Sequence, residues 1–248
     1  IERDGQTLPY IANAPDNIVD YIAFFCAQHG AATFLVEGDE RLSFADVYAA
    51  SRKVAQALVA EHGVKKGDRV GLAMRNANAW CISYVGILMA GGCATLLNGW
   101  WQGGELAAAI DDTEVSLVIA DSPRAARLAE VGHQVPVIAL DINQPLGQAL
   151  APLVASGGAA ATELPKMTGD DLATILFTSG STGQSKGAYS RHRSVVQGTF
   201  SYITQTMAMA YLLAQDGLSS PLQPATLICT PLFHVTAEIP VFLQSFAI

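Results

Sequence analysis

The chain has 248 residues, of which 50% are hydrophobic and only 15% are charged, and its formal net charge is −8. The apolar fraction excludes a disordered chain, and the negative charge disfavours a broad nucleic-acid-binding surface. Typical soluble domains carry about a quarter of charged residues, so the sequence predicts an unusually large apolar core.

A hairpin followed by a helix is predicted near the N-terminus. Residues 34–36 and 41–43 flank Gly38 and Asp39, a turn-forming pair. Ser43 with Asp46 three residues later fits a helix N-cap with a carboxylate in the first turn. Apolar residues continue at helical spacing over 44–62, and Gly63 then ends the helix.

Short apolar strands alternate with helices from residue 69 to residue 140. Strands are predicted at 69–74, 93–97, 115–120 and 135–140, and helices at 78–90, 104–111 and 123–131. This alternation is typical of a parallel sheet covered by helices on both faces. The sequence therefore predicts an α/β fold with a layered parallel sheet.

The second part of the chain is less regular. Residues 144–165 are rich in Ala, Gly and Pro, which predicts a linker or a surface excursion. We then predict a strand at 172–177, a polar loop at 178–187, a helix at 194–214, a strand at 225–230 and a loop at 231–234. We therefore expect a first α/β subdomain at 1–165 and the start of a second at 166–248.

Two long stretches, 76–104 and 194–215, carry no charge. Gly91 and Gly92 interrupt the first and polar residues dilute the second, so neither has the roughly 20 continuous apolar residues of a membrane-spanning helix. We expect buried helices in both and no transmembrane segment. The N-terminus has no apolar signal core, and the four cysteines form no C-x-x-C pair. We therefore expect buried free thiols, no zinc site and a cytoplasmic location.

The loop after the strand at 172–177 carries the chemistry. Residues 178–187 read Thr-Ser-Gly-Ser-Thr-Gly-Gln-Ser-Lys-Gly. Glycines permit backbone geometries that turn successive N–H groups inward, which makes an anion-binding nest, and the hydroxyls and Lys186 add further donors. The spacing is not that of the Walker A motif. A polyphosphate site is predicted, and a plain surface loop of small residues is the alternative.

This loop resembles the phosphate-binding signature of the adenylate-forming enzymes, which include acyl-CoA synthetases, peptide-synthetase adenylation domains and luciferases. Segments 41–44, 67–70 and 90–98 resemble earlier motifs of that superfamily, and Pro231-Leu232-Phe233-His234 resembles its later P-L-F-H motif. Residues 97–101 resemble the fatty acyl- or aryl-CoA ligase branch more than the peptide synthetases.

The resemblance implies a ligase that joins a carboxylic acid to a thiol in two steps. The acid and ATP would give an acyl-adenylate and pyrophosphate, and coenzyme A would then displace AMP. The implied phosphate-binding residues are Thr178, Ser179, Gly180, Ser181, Thr182, Gly183 and Lys186. Thr178 is also the implied Mg²⁺ contact, and Phe233 and His234 would flank the acyl site.

Several side chains that could contact a ligand can also be explained by a structural or surface role. A lone histidine among apolar residues, as at His234, is equally consistent with a structural role. We interpret Trp100 and Trp101 as packing residues. The cationic residues Lys65, Lys66, Arg191 and Arg193 are interpreted as surface charges rather than as contacts to the phosphates of coenzyme A.

Four features of the superfamily have no counterpart in the sequence: the adenine-binding aromatic stretch, the ribose-binding aspartate, the hinge and the catalytic lysine. We therefore expect the N-terminal portion of an acyl-CoA synthetase, without a catalytic residue of its own, with weak nucleotide binding and no turnover. Residues 194–248 contain only two acidic or basic residues, Asp216 and Glu238. An exposed apolar face and association into homo-oligomers are therefore expected as well.

Two alternatives remain open from the sequence. The first is a fragment of a peptide-synthetase adenylation domain, which would load a carrier-protein thiol instead of coenzyme A. The second is a naturally short protein that binds a nucleotide or a partner without catalysis.

Overall fold

The computed structural model describes residues 1–3, 5–154, 161–178 and 185–248. Strands β1 (Glu2–Arg3) and β2 (Gln6–Thr7) pair ahead of helix α1 (Ile18–His29). The predicted hairpin is confirmed as β3 (Thr33–Glu37) and β4 (Glu40–Ser43). Helix α2 (Phe44–Ala60) follows, and the predicted N-cap is present because Ser43 and Asp46 form a reciprocal capping box.

Six further strands form the central sheet. They are β5 (Arg69–Ala73), β6 (Cys93–Leu96), β7 (Val115–Asp121), β8 (Val137–Leu140), β9 (Leu172–Thr178) and β10 (Lys186–Arg191). Their order is β10-β9-β6-β5-β7-β8, and all neighbours are parallel except the antiparallel pair β9–β10. The α/β prediction is confirmed. β10 was missed because its sequence, Lys-Gly-Ala-Tyr-Ser-Arg, has no apolar run.

The connecting helices cover the sheet. They are α3 (Asn78–Met89), α4 (Gly103–Asp112), α5 (Ser122–Glu130), α6 (Leu146–Ala149), α7 (His192–Gln215) and α8 (Val235–Ala237), followed by a π-helical segment (Glu238–Leu243) and a 3-10 turn (Gln244–Phe246). Every residue of α3 is buried, as predicted for the first charge-free stretch. Gly86 lets α2 approach closely, since a Cβ there would lie 2.5 Å from Val54 Cγ1.

The sheet includes strands from both sides of the expected subdomain boundary at 165/166. β9 pairs in parallel with β6 through three residue pairs, from Ala94–Thr174 to Leu96–Leu176. Residues on both sides of the boundary thus share one sheet, and the division at 165/166 stays a prediction. Within the described ranges, no helix is both long enough and apolar enough to cross a membrane.

The expected linker at 144–165 is wrong for its first part. Leu146, Leu150 and Leu153 are buried in the main core, and α6 lies among them. Their spacing of four and three residues is typical of one helical face, although only Leu146 lies within α6. The Ala, Gly and Pro content of the segment concealed this signal. Residues 155–160 lie outside the described residues.

The prediction of a buried second charge-free stretch is wrong for the second half of α7. Its first half is anchored by buried His192, Val195 and Ile203, but Met207, Met209 and Tyr211 are exposed. A charge-free sequence does not ensure burial, because burial also needs a neighbouring element to pack against. Much of this helix therefore presents apolar side chains at the surface, as expected for an exposed apolar face.

The predicted strand at 225–230 does not form. The carbonyls of Ile228 and Thr230 accept hydrogen bonds from Asn76 Nδ2, and Leu227 is 86% exposed. Apolar β-propensity yields a strand only where another strand pairs with it, and the segment has no strand partner in the described part of the chain. It carries Cys229, which is exposed, so the prediction of buried thiols holds for Cys26, Cys81 and Cys93 only.

Candidate functional site

The candidate site lies at the carboxyl edge of the parallel sheet. β6 and β9 run side by side in register, so the residues after Leu96 and those at Thr178 meet at the same edge. Open α/β sheets bind their ligands beyond the carboxyl ends of parallel strands. The sheet topology therefore puts Thr178, the first residue of the predicted phosphate-binding loop, at the edge that such ligands use.

The ends of that loop are held together by the antiparallel hairpin. Thr178, the last residue of β9, and Lys186, the first of β10, are direct partners across the two strands. Both are exposed. The predicted phosphate ligands Ser179, Gly180, Ser181, Thr182 and Gly183 lie outside the described residues. The described geometry thus fixes only the first and last of the predicted phosphate contacts.

A cavity of about 440 Å³ adjoins this hairpin. Its lining residues are Leu96, Asn98, Trp101, Phe177, Thr178, Ser185, Phe233 and His234. The structure therefore brings Thr178, Phe233 and His234 together, although more than fifty residues separate the first from the other two. A larger cavity of about 830 Å³ lies between the β3–β4 hairpin and the C-terminal segment, and none of the predicted site residues lines it.

Asn76 holds the segment that delivers Phe233 and His234 to the cavity. Its Nδ2 donates to the carbonyls of Ile228 and Thr230, at 3.2 and 2.9 Å, and its Oδ1 accepts from the N–H of Leu232 at 2.9 Å. This asparagine follows β5 at the same sheet edge. Sequence reasoning missed it, since only the fold brings residue 76 next to residue 232.

Aromatic rings form much of the cavity wall. The Trp101 ring contacts Phe177 edge-on, with centroids 5.0 Å apart, and the Phe233 and His234 rings are 4.7 Å apart. Trp100 lies edge-on to Phe233 at 5.5 Å, yet it is 64% exposed. Trp101 therefore packs against Phe177 and also lines the cavity, whereas from the sequence we interpreted it as a packing residue only.

Three of the four cationic residues that we interpreted as surface charges form ion pairs or hydrogen bonds within the fold. Lys66 Nζ lies 2.8 Å from Asp171 Oδ2, and Arg193 Nη2 lies 2.9 Å from Asp16 Oδ1. The Gly169 N–H and the Arg193 guanidinium hold the pKa of Asp16 below its ordinary value. Arg191 donates to the Asp170 carbonyl. The Arg193–Asp16 pair ties the N-terminal segment to α7, and together the three contacts account for these charges without a ligand.

The donor set at the cavity suits Mg²⁺ that arrives with a nucleotide. Among the described residues, no group of three or more His, Cys, Asp or Glu side chains could hold a metal ion. Mg²⁺ keeps several waters and is commonly bound through substrate phosphates with one or two protein oxygens. The exposed Thr178 hydroxyl at the cavity fits such a single contact.

Comparison with known proteins identifies relatives over most of the chain. The family described as "AMP-binding enzyme" matches residues 23–247. A 4-coumarate–CoA ligase-like protein of Oryza sativa subsp. japonica is 32% identical over 171 residues, which is 64% of this chain and 29% of that protein. Long-chain-fatty-acid–CoA ligase FadD13 of Mycobacterium tuberculosis is 30% identical over 209 residues, which is 84% of this chain and 38% of that protein.

The solved structures agree with the fold. The inhibitor-bound N-terminal domain of FACL13 from Mycobacterium tuberculosis superposes with a TM-score of 0.74 at 25% identity. The match covers 94% of this chain and 55% of that one. The chain therefore spans between 29% and 38% of the length of the two curated relatives, and about half of the solved domain.

Proposed function

The chain belongs to the AMP-binding enzyme family, and we propose that it provides the phosphate-binding part of an ATP-dependent acyl-CoA synthetase. The observation that carries the proposal is the pairing of Thr178 with Lys186 beside the cavity that also holds Phe233 and His234. The two polar residues Thr178 and Lys186 adjoin an aromatic-walled cavity there, as a reaction between a polyphosphate and an organic acid requires.

The proposed reaction has two steps. A carboxylate oxygen of a fatty or aryl acid attacks the α-phosphorus of ATP, which forms an acyl-adenylate and releases pyrophosphate. The thiolate of coenzyme A then attacks the acyl carbon and releases AMP. Mg²⁺ would neutralise charge on the phosphate oxygens, with Thr178 as its protein contact. Catalysis of such steps depends mainly on positioning and on charge stabilisation.

The residues of this chain would act on the leaving pyrophosphate and on the acid. Lys186 and the loop from Thr178 to Gly183 would bind the β- and γ-phosphates, so that negative charge developing there is stabilised. Within the described part of the chain, no carboxylate forms an ion pair with Lys186, so its charge is available for a phosphate. The apolar rings of Phe177 and Phe233 would border the acyl group.

We propose that the chain alone does not complete adenylation, because it spans well under half of the curated ligases that it matches. Self-association through the exposed part of α7 and a cytoplasmic location stay predictions as well. A peptide-synthetase role differs in its acceptor, since the acyl group would pass to a carrier-protein thiol. A thioester assay of an enzyme that contains this chain, with coenzyme A or a carrier protein as acceptor, separates these two roles.

Calorimetric titration with ATP and Mg²⁺ tests the proposal on the chain itself. We expect weak binding that Thr178→Val reduces by about tenfold, as for the loss of one hydrogen bond to a charged group. Thr204→Val, on the exposed part of α7, serves as the matched control and should bind like wild type. Equal affinities of the three proteins would contradict the proposed site, and measurable ATP–pyrophosphate exchange would contradict the predicted lack of turnover.

A further inference from the structure

The loop of residues 98–102 forms one wall of the 440 Å³ cavity and is held from behind by helix α5. The Arg124 Nε donates to the Gly99 carbonyl at 2.8 Å. The Arg127 Nη1 donates to the same carbonyl at 3.1 Å and to the Trp101 carbonyl at 2.9 Å. Two guanidinium groups thus hold two backbone carbonyls within one five-residue loop.

Asp121 anchors this arrangement to the sheet. It is the last residue of β7 and is fully buried. Its carboxylate accepts from the backbone N–H groups of Arg75 and Arg124, each at 3.1 Å, and from Arg124 Nη1 at 2.9 Å. One carboxylate therefore links the end of β7, the residues after β5, the start of α5 and, through Arg124, the loop after β6.

Gly103, the first residue of α4 and the one that follows the loop, is pressed against α5. A Cβ at this position would lie 2.3 Å from the Arg127 carbonyl oxygen and 2.7 Å from Val131 Cγ1. Real Cβ atoms do not approach backbone this closely, so any larger residue must move the loop or the helix. Two features therefore hold the loop against α5. One is the close packing that the missing side chain of Gly103 allows, and the other is the pair of hydrogen bonds from Arg127.

Two side chains of the loop face the cavity. Asn98 and Trp101 line it, and Trp101 packs on Phe177 directly before Thr178. Within the loop, Asn98 accepts hydrogen bonds from the backbone N–H groups of Trp100 and Trp101, through Oδ1 and the carbonyl oxygen. A displacement of the loop therefore moves the part of the cavity wall that Asn98 and Trp101 form.

We propose that Asp121, Arg124 and Arg127 are positioning residues that hold Asn98 and Trp101 as a rigid wall of the ligand cavity. The inference rests on the proposed function only in taking that cavity as the acid-binding part of the site. The three residues need not touch the acid or the nucleotide. They act through the 98–102 loop, in the way that supporting hydrogen bonds lock the groups that line a binding site.

Trp101 fluorescence tests the proposal in the 248-residue chain. With Trp100→Phe as background, the remaining tryptophans are Trp101 and Trp80, which is fully buried, so acrylamide quenching reports on Trp101. Arg127→Met keeps the aliphatic part of the side chain and removes both carbonyl contacts. We expect its quenching constant to rise roughly threefold, as for a locally opened segment, and Gly103→Ala to raise it similarly.

Two controls separate positioning from general destabilisation. Arg52→Met, an exposed arginine of α2, should leave the quenching constant at the wild-type value. Arg127→Lys keeps the charge and one donor group, and should restore part of the protection. A quenching constant for Arg127→Met equal to that of wild type, with far-UV circular dichroism intact, would overturn the proposal. If Arg52→Met raised quenching as much, that result would overturn it too.

Pyrophosphate binding to the same variants keeps this proposal distinct from the proposed function. Arg127→Met should bind inorganic pyrophosphate as wild type does, because Thr178 and Lys186 are held by the β9–β10 hairpin and not by α5. If no variant binds pyrophosphate, the proposed function fails while the quenching result still decides the role of Arg127. If only Arg127→Met loses pyrophosphate, the wall assignment is wrong.

Discussion

Replacing Glu238 by glutamine should remove a loss of stability that develops as the pH rises above 4.5. Glu238 opens the π-helical segment and is fully buried. Its Oε1 accepts a 2.6 Å hydrogen bond from the Tyr84 hydroxyl, and its Oε2 has no partner among the described residues. Burial raises the pKa of this carboxyl to about 7, although the Tyr84 hydrogen bond lowers it.

The expected size follows from the two pKa values. The folded-state pKa of about 7 lies above the value of 4.5 for an exposed glutamate. Below pH 4.5 the carboxyl is neutral in both states, so the fold bears no ionisation cost. Between pH 4.5 and 7 the unfolded state ionises first, and the free energy of unfolding declines by about 3 kcal/mol in total. Glutamine cannot ionise, so its variant lacks this decline.

Urea denaturation of wild type and Glu238→Gln at pH 5 and pH 8 measures the effect. The stability difference between the two proteins should shift in favour of the variant by about 2–3 kcal/mol between these pH values. Any constant cost of the new amide group cancels in this comparison. Glu130→Gln, on the exposed end of α5, is the matched control and should show no such shift.

Tyr84→Phe checks the assigned partner. The variant keeps the ring stacked on Trp80 at 5.1 Å and removes only the donor to Glu238. Loss of that donor should raise the pKa of Glu238 further and steepen the decline of stability above pH 7. A stability difference between wild type and Glu238→Gln that is the same at pH 5 and pH 8 would refute the reasoning.

Three further predictions concern other parts of the chain. Burial lowers the pKa of His192 from 6.5 to about 4. The free energy of unfolding should therefore fall by about 3 kcal/mol as the pH drops through that interval. Urea denaturation of His192→Gln should show no such loss. Cys229 is exposed, so a thiol reagent should label it in the folded protein ahead of the three buried cysteines, and equal labelling rates would contradict the structure. Met209→Glu with Leu212→Glu, on the exposed part of α7, should reduce self-association in light scattering, whereas a monodisperse wild-type monomer would refute the expected association.

Local patterns in the sequence were sufficient to predict most strands of the sheet and most of its helices. The Ser43–Asp46 cap, the turn at Gly38 and the apolar runs of β5, β6 and β7 each depend on neighbours in the chain, and each was predicted close to its observed place. The edge strand β10 was not, because its half-exposed residues carry little apolar signal and it forms by pairing with β9.

The parts that failed depend on what lies beside them in space. Residues 225–230 have a strand-like composition but no strand partner in the described part of the chain, and the second half of α7 is apolar but uncovered. At the site, Thr178, Phe233 and His234 line one cavity, and the roles that the motif resemblance implies for them stay predictions. Neither Asn76 nor Arg127 was predicted, because their partners are more than 25 residues away in sequence.

Pyrophosphate binding at Lys186 is the most direct test of the central claim. Calorimetric titration with inorganic pyrophosphate and Mg²⁺ compares wild type with Lys186→Met and with Lys53→Met, an exposed lysine of α2. The proposed site predicts that Lys186→Met binds about 10- to 100-fold more weakly, as for a lost hydrogen bond to a charged group, while Lys53→Met binds like wild type. Equal binding by all three proteins, or by none, would contradict the claim that this chain holds the pyrophosphate of ATP.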